Sequence, residues 1–259
     1  MSQSSIKKQM LEFRDSGKLY PLSDVDLNEL FCGSIDRYCV IADRLSDKHR
    51  VLDCGAGSGM LCAILRFLGH EVVALDLYHG ALIDMHQIDF IECNLEHDPF
   101  PFSDNEFDAV MCCQALEHFT HAHLPVVREM FRVIKPGGLI QVDVPNAVCF
   151  RNRSRMLRGK HITWDYEKHY LDTKPVLYKD REFYPDRHNR EFTRDELALL
   201  LNKAGFTDVD VQFIKSRRYR SGLQSILSVG SEIKDAIPSL RKTLMAFGQK
   251  PESNQHEDN

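Results

Sequence analysis

The sequence predicts an α/β protein built on a doubly wound, mostly parallel sheet with helices on both faces. Three observations carry this reading. From Arg50 onward, short apolar runs alternate with amphipathic segments, the pattern of βαβ units. An apolar run, Val51–Cys54, leads directly into the alternate glycines Gly55, Gly57 and Gly59. The next apolar run ends on an acid, Asp76, seventeen positions beyond Gly59. A chain of 259 residues suits one large domain with an insertion, and can bury a core without staples.

The elements follow in order. Residues 1–48 form an N-terminal helical segment expected to cover the pocket, with Leu27, Leu30, Phe31, Ile35 and Tyr38 at helical spacing. Residues 49–250 form the main domain. Its predicted strands are Val51–Cys54, Val72–Asp76, Phe90–Cys93, Phe107–Cys113 and Leu139–Val144, with helices over Met60–Leu68 and Leu124–Val133. Lys135-Pro136-Gly137-Gly138 reads as a turn that ends the helix and reverses the chain. About residues 147–190 the rhythm breaks into a stretch rich in Arg, His, Tyr and Asp, expected to be an inserted cap over the mouth of the sheet. Thr193 and Glu196 then fit a capping box that opens a helix to Ala204, closed by Gly205. Val209–Ile214 reads as a strand, Leu223–Ile237 as a helix stopped by Pro238, and Thr243–Gly248 as a last strand paired antiparallel at the far side of the sheet. The polar residues 251–259 are expected to be a disordered tail.

A net charge of -5 argues against a protein built mainly to grip nucleic acid. Met1–Lys8 lacks the apolar core of a signal peptide. No stretch approaches the roughly 18–20 apolar residues of a membrane span. The eight cysteines form no Cys-x-x-Cys pair, and several sit in apolar runs, so they read as small buried thiols in a reducing compartment. A cytoplasmic location is expected.

The glycine loop is the most informative segment. Glycines let the backbone turn sharply and lie against a ligand without Cβ interference. Asp76, at the end of the neighbouring strand, is placed to accept from ribose hydroxyls where a doubly wound sheet binds nucleotides. A dinucleotide site wants Gly-x-Gly-x-x-Gly, whereas here Met60 stands at the third glycine position and Asp53 precedes the loop by two residues. A carboxylate beside the loop suits S-adenosylmethionine, with its ammonium and sulfonium, better than a pyrophosphate.

Val51–Gly59 resembles the first motif of the class I S-adenosylmethionine-dependent methyltransferases, of the methyltransferase type 11 kind. Later segments agree in order: Asp76; Pro99–Asp104; Phe107-Asp108-Ala109-Val110; Leu116-Glu117-His118; and Arg132–Gly138. The resemblance covers roughly residues 48–146, and more weakly 192–213. It implies a seven-stranded, Rossmann-like sheet with an antiparallel last strand. It further implies that Gly55, Ala56, Gly57 and Gly59 line the methionine half of the cofactor, with Asp53 near its ammonium. Asp76 would bind the ribose, Leu77 would flank the adenine, the backbone amide of Leu95 could reach its ring, and Gln114 would approach the methionine end. Asn94 stands where the family usually has an acid that accepts from the adenine amino group; an amide oxygen can accept the same bond.

Methyl transfer from a sulfonium is an in-line displacement whose leaving group needs no proton. Alignment can supply about 7–11 kcal/mol of the barrier, and a base would help a hydroxyl acceptor. His118, just after the fourth strand, is the first candidate base. His188, in the run Arg187–Thr193, is the second, because that run resembles segments closing over acceptors in glycan- and small-molecule-modifying members. Tyr166, His169 and Arg190 are candidate acceptor contacts, with Tyr170 and Tyr184 in the same stretch. Some quinone-pathway O-methyltransferases resemble the Glu-His stretch and place metal-binding acids around it, but Gln114 occupies the upstream position here, so no metal is expected. Two basic clusters, Arg151 to Lys160 and Lys215 to Arg220, read either as solvated faces or as capture of an acidic acceptor.

The expected activity is therefore methyl transfer to a small-molecule or glycan acceptor, on oxygen. The alternatives are an RNA or protein methyltransferase, a non-catalytic binding protein of the same fold and, least, a nicotinamide oxidoreductase.

Overall fold

A computed structural model describes residues 3–19, 31–163, 165–179, 181–184, 187–215 and 236–252. Its elements are α1 (Gln3–Asp15), α2 (Ile35–Arg44), β1 (Arg50–Cys54), α3 (Met60–Phe67), β2 (Glu71–Asp76), β3 (Asp89–Glu92), β4 (Phe107–Cys113), α4 (His123–Val133), β5 (Ile134–Pro145), α5 (Phe150–Leu157), β6 (Val176–Tyr178), β7 (Arg181–Phe183), α6 (Arg194–Ala204), β8 (Thr207–Ile214) and β9 (Thr243–Gln249).

The seven-stranded sheet has the order β3-β2-β1-β4-β5-β9-β8. β1 to β5 pair in parallel, and β9 runs antiparallel to both β5 and β8. The order turns around between β1 and β4, and the crevice outside the carboxyl ends of the strands there is where such sheets take ligands.

The two-residue period of the strands divides the apolar residues between two cores. Val51, Val72, Ala74, Ala109, Met111, Met245 and Phe247 face α1, α2 and α3. Leu52, Cys54, Val73, Leu75, Val110, Cys112, Leu244 and Ala246 face α4 and α6. Met60 to Leu65 of α3 are all buried, because α1 and α2 pack over it as a further layer; Ile6, Met10 and Phe13 form the inner face of α1. Helix α6 opens on the expected capping box, with Thr193 and Glu196 each bonding the other's backbone, and ends at Gly205 with φ 113°.

The structure alters three sequence expectations. The last strand lies one place in from the sheet edge, between β5 and β8. Both of its faces are apolar and buried, whereas β8, with Asp208, Asp210 and Gln212, tolerates the edge. Lys135–Gly138 does not precede the fifth strand but bulges out of it, since Phe107 pairs with Ile134 and Ala109 already pairs with Leu139. Gly137 at φ 73° and two backbone bonds with Lys250 hold that bulge. The insertion has regular pieces that its composition hid: α5, a π-helical turn at Glu167–Leu171, and the β6–β7 hairpin. Helix α5 carries three arginines and is pinned through buried Asn152, whose Nδ2 donates to Ala147 O at 3.0 Å and to Glu191.

Leu27, Leu30, Arg217, Arg218, Arg220, residues 253–259 and all but the end of the predicted helix Leu223–Ile237 lie outside the described residues. All eight cysteines are free thiols. Among the described residues, no helix is long and apolar enough to cross a membrane.

Candidate functional site

The three loop glycines adopt left-handed conformations, with φ 86° at Gly55, 56° at Gly57 and 79° at Gly59. Each is needed for a different reason. A Cβ at Gly55 would lie 2.7 Å from Ala115 Cβ, and one at Gly59 2.9 Å from Ile83 Cδ1, so these two pack the loop against β4 and the segment after β2. A Cβ at Gly57 would meet nothing within 4 Å. It would point into open space, which is what close approach of a ligand to the backbone requires.

Asp76 closes the other side of that space. Its Oδ2 accepts from Gly57 N at 2.8 Å and its Oδ1 from Tyr78 N at 3.1 Å. From here a cavity of about 250 Å³ runs across the strand ends. Gly55, Gly57, Asp76 and Leu77 line one part, Asn94 and Leu95 after β3 the next, and Gln114 and His118 after β4 the last. Polar groups thus sit at the ends of a mostly apolar slot, as a nucleoside with a charged tail needs.

Asp53 lies beneath the loop, 2% exposed and outside the cavity lining. One carboxylate oxygen accepts from Cys62 Sγ at 3.1 Å and the other, buried, has no partner among the described residues. Burial pushes its pKa up to about 7; the Cys62 bond opposes this and nearby Asp76 and Asp143 add to it. An unsatisfied buried carboxylate under a glycine loop fits a cationic ammonium and would repel a phosphate. Ala56 and Gly59 shape the loop without lining the cavity.

Asn94 is buried, and its amide is oriented differently from expectation. Oδ1 already accepts from Glu96 N at 2.9 Å, whereas Nδ2 is the atom without a partner. The amide therefore presents a donor, suited to a ring nitrogen, in place of the predicted acceptor for an amino group.

Gln114 is held at φ 52° by two bonds to Asp143, from its backbone N at 2.9 Å to Asp143 O and from Nε2 at 2.7 Å to Oδ1. Asp143 is fully buried and also receives Arg37 Nη1 at 2.8 Å and Gln141 Nε2 at 3.3 Å. Burial is the largest single influence on the Arg37 pKa and lowers it, but Asp143, Tyr38 and Cys113 together raise it above its ordinary value.

After β4 the chain makes a single 3₁₀ turn, Leu116–His118. The insertion zips onto it: Asn189 N and Arg190 N donate to Glu117 O at 2.7 and 3.2 Å, and Asn189 Nδ2 to His118 O at 2.7 Å. His118 Nδ1 faces Arg187 O at 3.0 Å and so carries its proton there. The His188 ring meets the His118 ring edge-on, with centroids 4.9 Å apart. Burial, followed by His118 and Arg151, pushes the His188 pKa down to about 4. Among the described residues both carboxylate oxygens of buried Glu117 lack partners, and burial raises its pKa to about 8. Among the described residues, Glu117, His118 and His188 each place one ligand-type atom within 4.8 Å of the others. The Glu-His pair is thus joined by a nitrogen from the insertion, which the sequence reading, looking only at position 114, did not foresee.

The remaining candidates divide. Tyr184 lines the cavity with Phe183. Tyr166 is exposed and stacked on Tyr170 at 5.7 Å, and His169 is half-buried with its O accepting from Arg187 Nε at 2.9 Å. Arg190 pairs with Glu196 at the start of α6. None of these three lines the cavity. In the first basic cluster, Arg151 pairs with Glu191, and Arg153, Arg155 and Arg158 bond nearby backbone carbonyls.

Sequence reading missed Tyr78, Glu96, Phe119 and Thr120 in the cavity wall, and Gly80 behind it. A Cβ at Gly80 would lie 2.2 Å from Gly57 O, so the segment after β2 presses onto the glycine loop. Its signal was the His79-Gly80 pair directly after the acidic strand end. Beside this cavity lies a second of about 260 Å³, lined by Gly33, Ser34, Arg37, Gln114, Ile214, Lys215 and Thr243. Gln114 lines both.

A methyltransferase-domain family model matches residues 52–142. A Mycobacterium tuberculosis protein named as a probable S-adenosylmethionine-dependent methyltransferase is 27% identical over 180 residues, 67% of this chain but only 55% of the relative's length. The demethylmenaquinone methyltransferase of Geobacillus stearothermophilus is 33% identical over 189 residues, covering 71% of each chain. The ubiquinone/menaquinone biosynthesis C-methyltransferase of Stenotrophomonas maltophilia is 28% identical over 195 residues, 66% of this chain and 70% of that one. In fold, the chain is similar to a Burkholderia thailandensis 1,6-didemethyltoxoflavin-N1-methyltransferase solved with S-adenosylhomocysteine, at a TM-score of 0.54 and 19% identity over 96% of this chain and 89% of that one.

Proposed function

Because the chain belongs to the class I S-adenosylmethionine-dependent methyltransferases, we propose that it transfers the cofactor's methyl group to oxygen of a small-molecule or glycan acceptor, acidic in character, in the cytoplasm. The observation that carries this reading is the pairing of open space at Gly57 with two carboxylates, Asp76 at the rim and Asp53 beneath.

Bound there, S-adenosylmethionine supplies an electrophilic methyl on a sulfonium. Asp76 accepts from the ribose hydroxyls, Leu77 and Leu95 flank the base, and Asn94 meets its edge. Gly55, Ala56, Gly57 and Gly59 let the backbone follow the methionine part, and Asp53 neutralises the ammonium. Gln114, locked by Asp143, borders the methyl end. His118, whose Nδ1 proton is committed to Arg187 O, has a lone pair on Nε2 and serves as the base for a hydroxyl acceptor. His188, kept neutral by burial, packs against its ring and is the second candidate at the reacting end. Tyr166, His169 and Arg190 lie on the inserted cap, and their part in acceptor contact requires that cap to close. No metal is needed, since the departing thioether takes no proton. The N-terminal helices stabilise the cofactor side by packing over α3, and α2 borders the acceptor side.

A second reading, transfer to carbon, draws support from the relatives named as C-methyltransferases. The two separate on His118→Gln, which slows an oxygen acceptor by about 10²–10⁴-fold and a carbon nucleophile already activated by its own ring far less. The cofactor assignment is tested by thermal shift: S-adenosylmethionine and S-adenosylhomocysteine should raise Tm and NAD should not. Equal shifts with NAD would sink it.

A further inference from the structure

We propose that the outer face of α5 is a membrane-docking surface, which lays Phe150, Met156 and Leu157 into the interface of a bilayer rich in anionic lipid while the arginines around them meet its headgroups. The surface is read from exposure and charge alone, and it holds whatever the cavity beneath the insertion binds.

Helix α5 is amphipathic the wrong way round. Its one buried side chain is polar, Asn152, whereas Phe150 is 50% exposed, Met156 65% and Leu157 89%. A helix that only covers a core turns its apolar side inward. Here polar bonds fix the inner side. Asn152 Nδ2 donates to Ala147 O at 3.0 Å and to Glu191, and Arg151 pairs with the same Glu191 at 3.0 Å. The clamp thereby sets which side faces out. Phe150, Arg153 and Leu157 follow one another at steps of three and four residues along one face, with Met156 beside them. Among the described residues, seven of the twelve exposed large apolar side chains fall between Val148 and Leu177, so the exposure is concentrated in the insertion and not scattered.

Charge says what covers this face. From Val144 to Thr163 the chain carries Arg151, Arg153, Arg155, Arg158 and Lys160 and no acid, in a protein of net charge -5. Only Arg151 of the five has an acidic partner among the described residues. Arg153, Arg155 and Arg158 donate to the backbone carbonyls of Val148, His161 and Ser154, which steadies the guanidinium heads without cancelling their charge. Nucleic acid would meet the charge but gain little from Met156 and Leu157. A second copy of this chain, packed face to face, would set cations against cations. An anionic bilayer takes both features: the aliphatic side chains enter its apolar boundary and the guanidinium heads stay at the phosphates.

The surface is also joined to the cavity. Glu191, which holds α5, follows Asn189 and Arg190, whose backbone amides donate to Glu117 O. Attachment to a bilayer through α5 therefore bears on the segment that closes against the 3₁₀ turn at the end of the cavity.

The test is flotation of the full chain with vesicles of phosphatidylcholine alone, and of phosphatidylcholine with phosphatidylglycerol at about three to one, at low and high salt. The chain should bind the anionic vesicles at least tenfold more tightly than the neutral ones, and high salt should weaken that binding. Leu157→Asp and Arg153→Glu, both at exposed side chains, should each weaken it at least tenfold with Tm unchanged. Leu199→Asp, at an apolar residue of α6 that is 57% exposed, should leave it intact. No flotation, equal flotation with neutral vesicles, or flotation indifferent to Leu157→Asp and Arg153→Glu would each overturn the proposal. So would loss of flotation in Leu199→Asp, or displacement of the vesicles by tRNA, which assigns the face to nucleic acid. Dimers in vesicle-free sedimentation that Leu157→Asp dissolves would overturn it too, and assign the face to a second copy.

Discussion

The amide of Gly57 donates to Asp76 Oδ2 at 2.8 Å, so the glycine loop and the end of β2 are tied together by the very carboxylate that faces the cavity. Replacing Asp76 therefore removes a ligand contact and loosens the loop at once. Two charge-assisted hydrogen bonds are worth about 1.5–3 kcal/mol each. Asp76→Ala should weaken S-adenosylhomocysteine at least a hundredfold in calorimetry and erase most of its Tm shift. An undiminished shift would mean that the pocket lies elsewhere.

Gly57→Ala separates packing from ligand approach. Its Cβ meets no atom of the described residues within 4 Å, so the apo fold should lose only about 1–2 kcal/mol, from a non-glycine residue in the left-handed region. Cofactor affinity should fall further, because the methyl occupies ligand space. Gly59→Ala, whose Cβ would lie 2.9 Å from Ile83 Cδ1, should instead lower apo Tm. If both variants behave alike in both assays, the distinction between the two glycines is wrong.

Asp53 predicts a proton signature. Its folded pKa of about 7 leaves it largely protonated at pH 6, and an ammonium arriving beside it favours the charged form. S-adenosylhomocysteine binding should thus release up to one proton at pH 6 and almost none at pH 8.5. Calorimetry in buffers of different ionisation enthalpy reads this directly, and Asp53→Asn should abolish it. A release that persists in the variant would assign the proton to another group.

How far the sequence spoke can be traced through particular residues. Local chemistry was legible: alternation marked the strands, Thr193 and Glu196 made the predicted capping box, and Gly55, Gly57, Asp76, Leu77, Asn94, Leu95 and Gln114 do converge on one cavity. What it could not show was set by long-range contact. Gly80 matters because it touches Gly57 O across a fold the sequence does not display. Arg37 reads as an ordinary helix arginine until Asp143, 106 positions away, is found against it. Tyr166, His169 and Arg190 had the right chemistry for a site but do not line the cavity, since charge and aromaticity do not reveal which way a non-periodic segment faces.

The cluster at Glu117 makes a prediction about metal. Glu117, His118 and His188 are close enough to be drawn around an ion, yet methyl transfer from a sulfonium needs no Lewis acid. Turnover at pH 7 should survive dialysis against a chelator. Loss of activity restored by added zinc, but not by removing the chelator alone, would show that the cluster is a working metal site.

The same carboxyl predicts how stability varies with pH. Glu117 has a folded pKa of about 8 against a reference of 4.5, because it is buried without a partner. Between those values the folded state holds a proton that the unfolded state has lost, so stability falls as pH rises through this window. His188 works the other way: with a folded pKa of about 4 against 6.5, it makes stability rise with pH, but only below 6.5. Asp53 adds its own fall up to about 7. From pH 7 to 8 Glu117 is therefore the dominant of the three, with a slope approaching about 1.4 kcal/mol per pH unit at most. Glu117→Gln, which keeps the neutral shape, should remove this contribution and flatten the curve between pH 7 and 8 in urea unfolding, while the opposed contributions of His188 and Asp53 at lower pH remain. A variant that follows the wild-type curve across pH 7–8 would show that Glu117 is already ionised in the fold, and that an unseen cation compensates it.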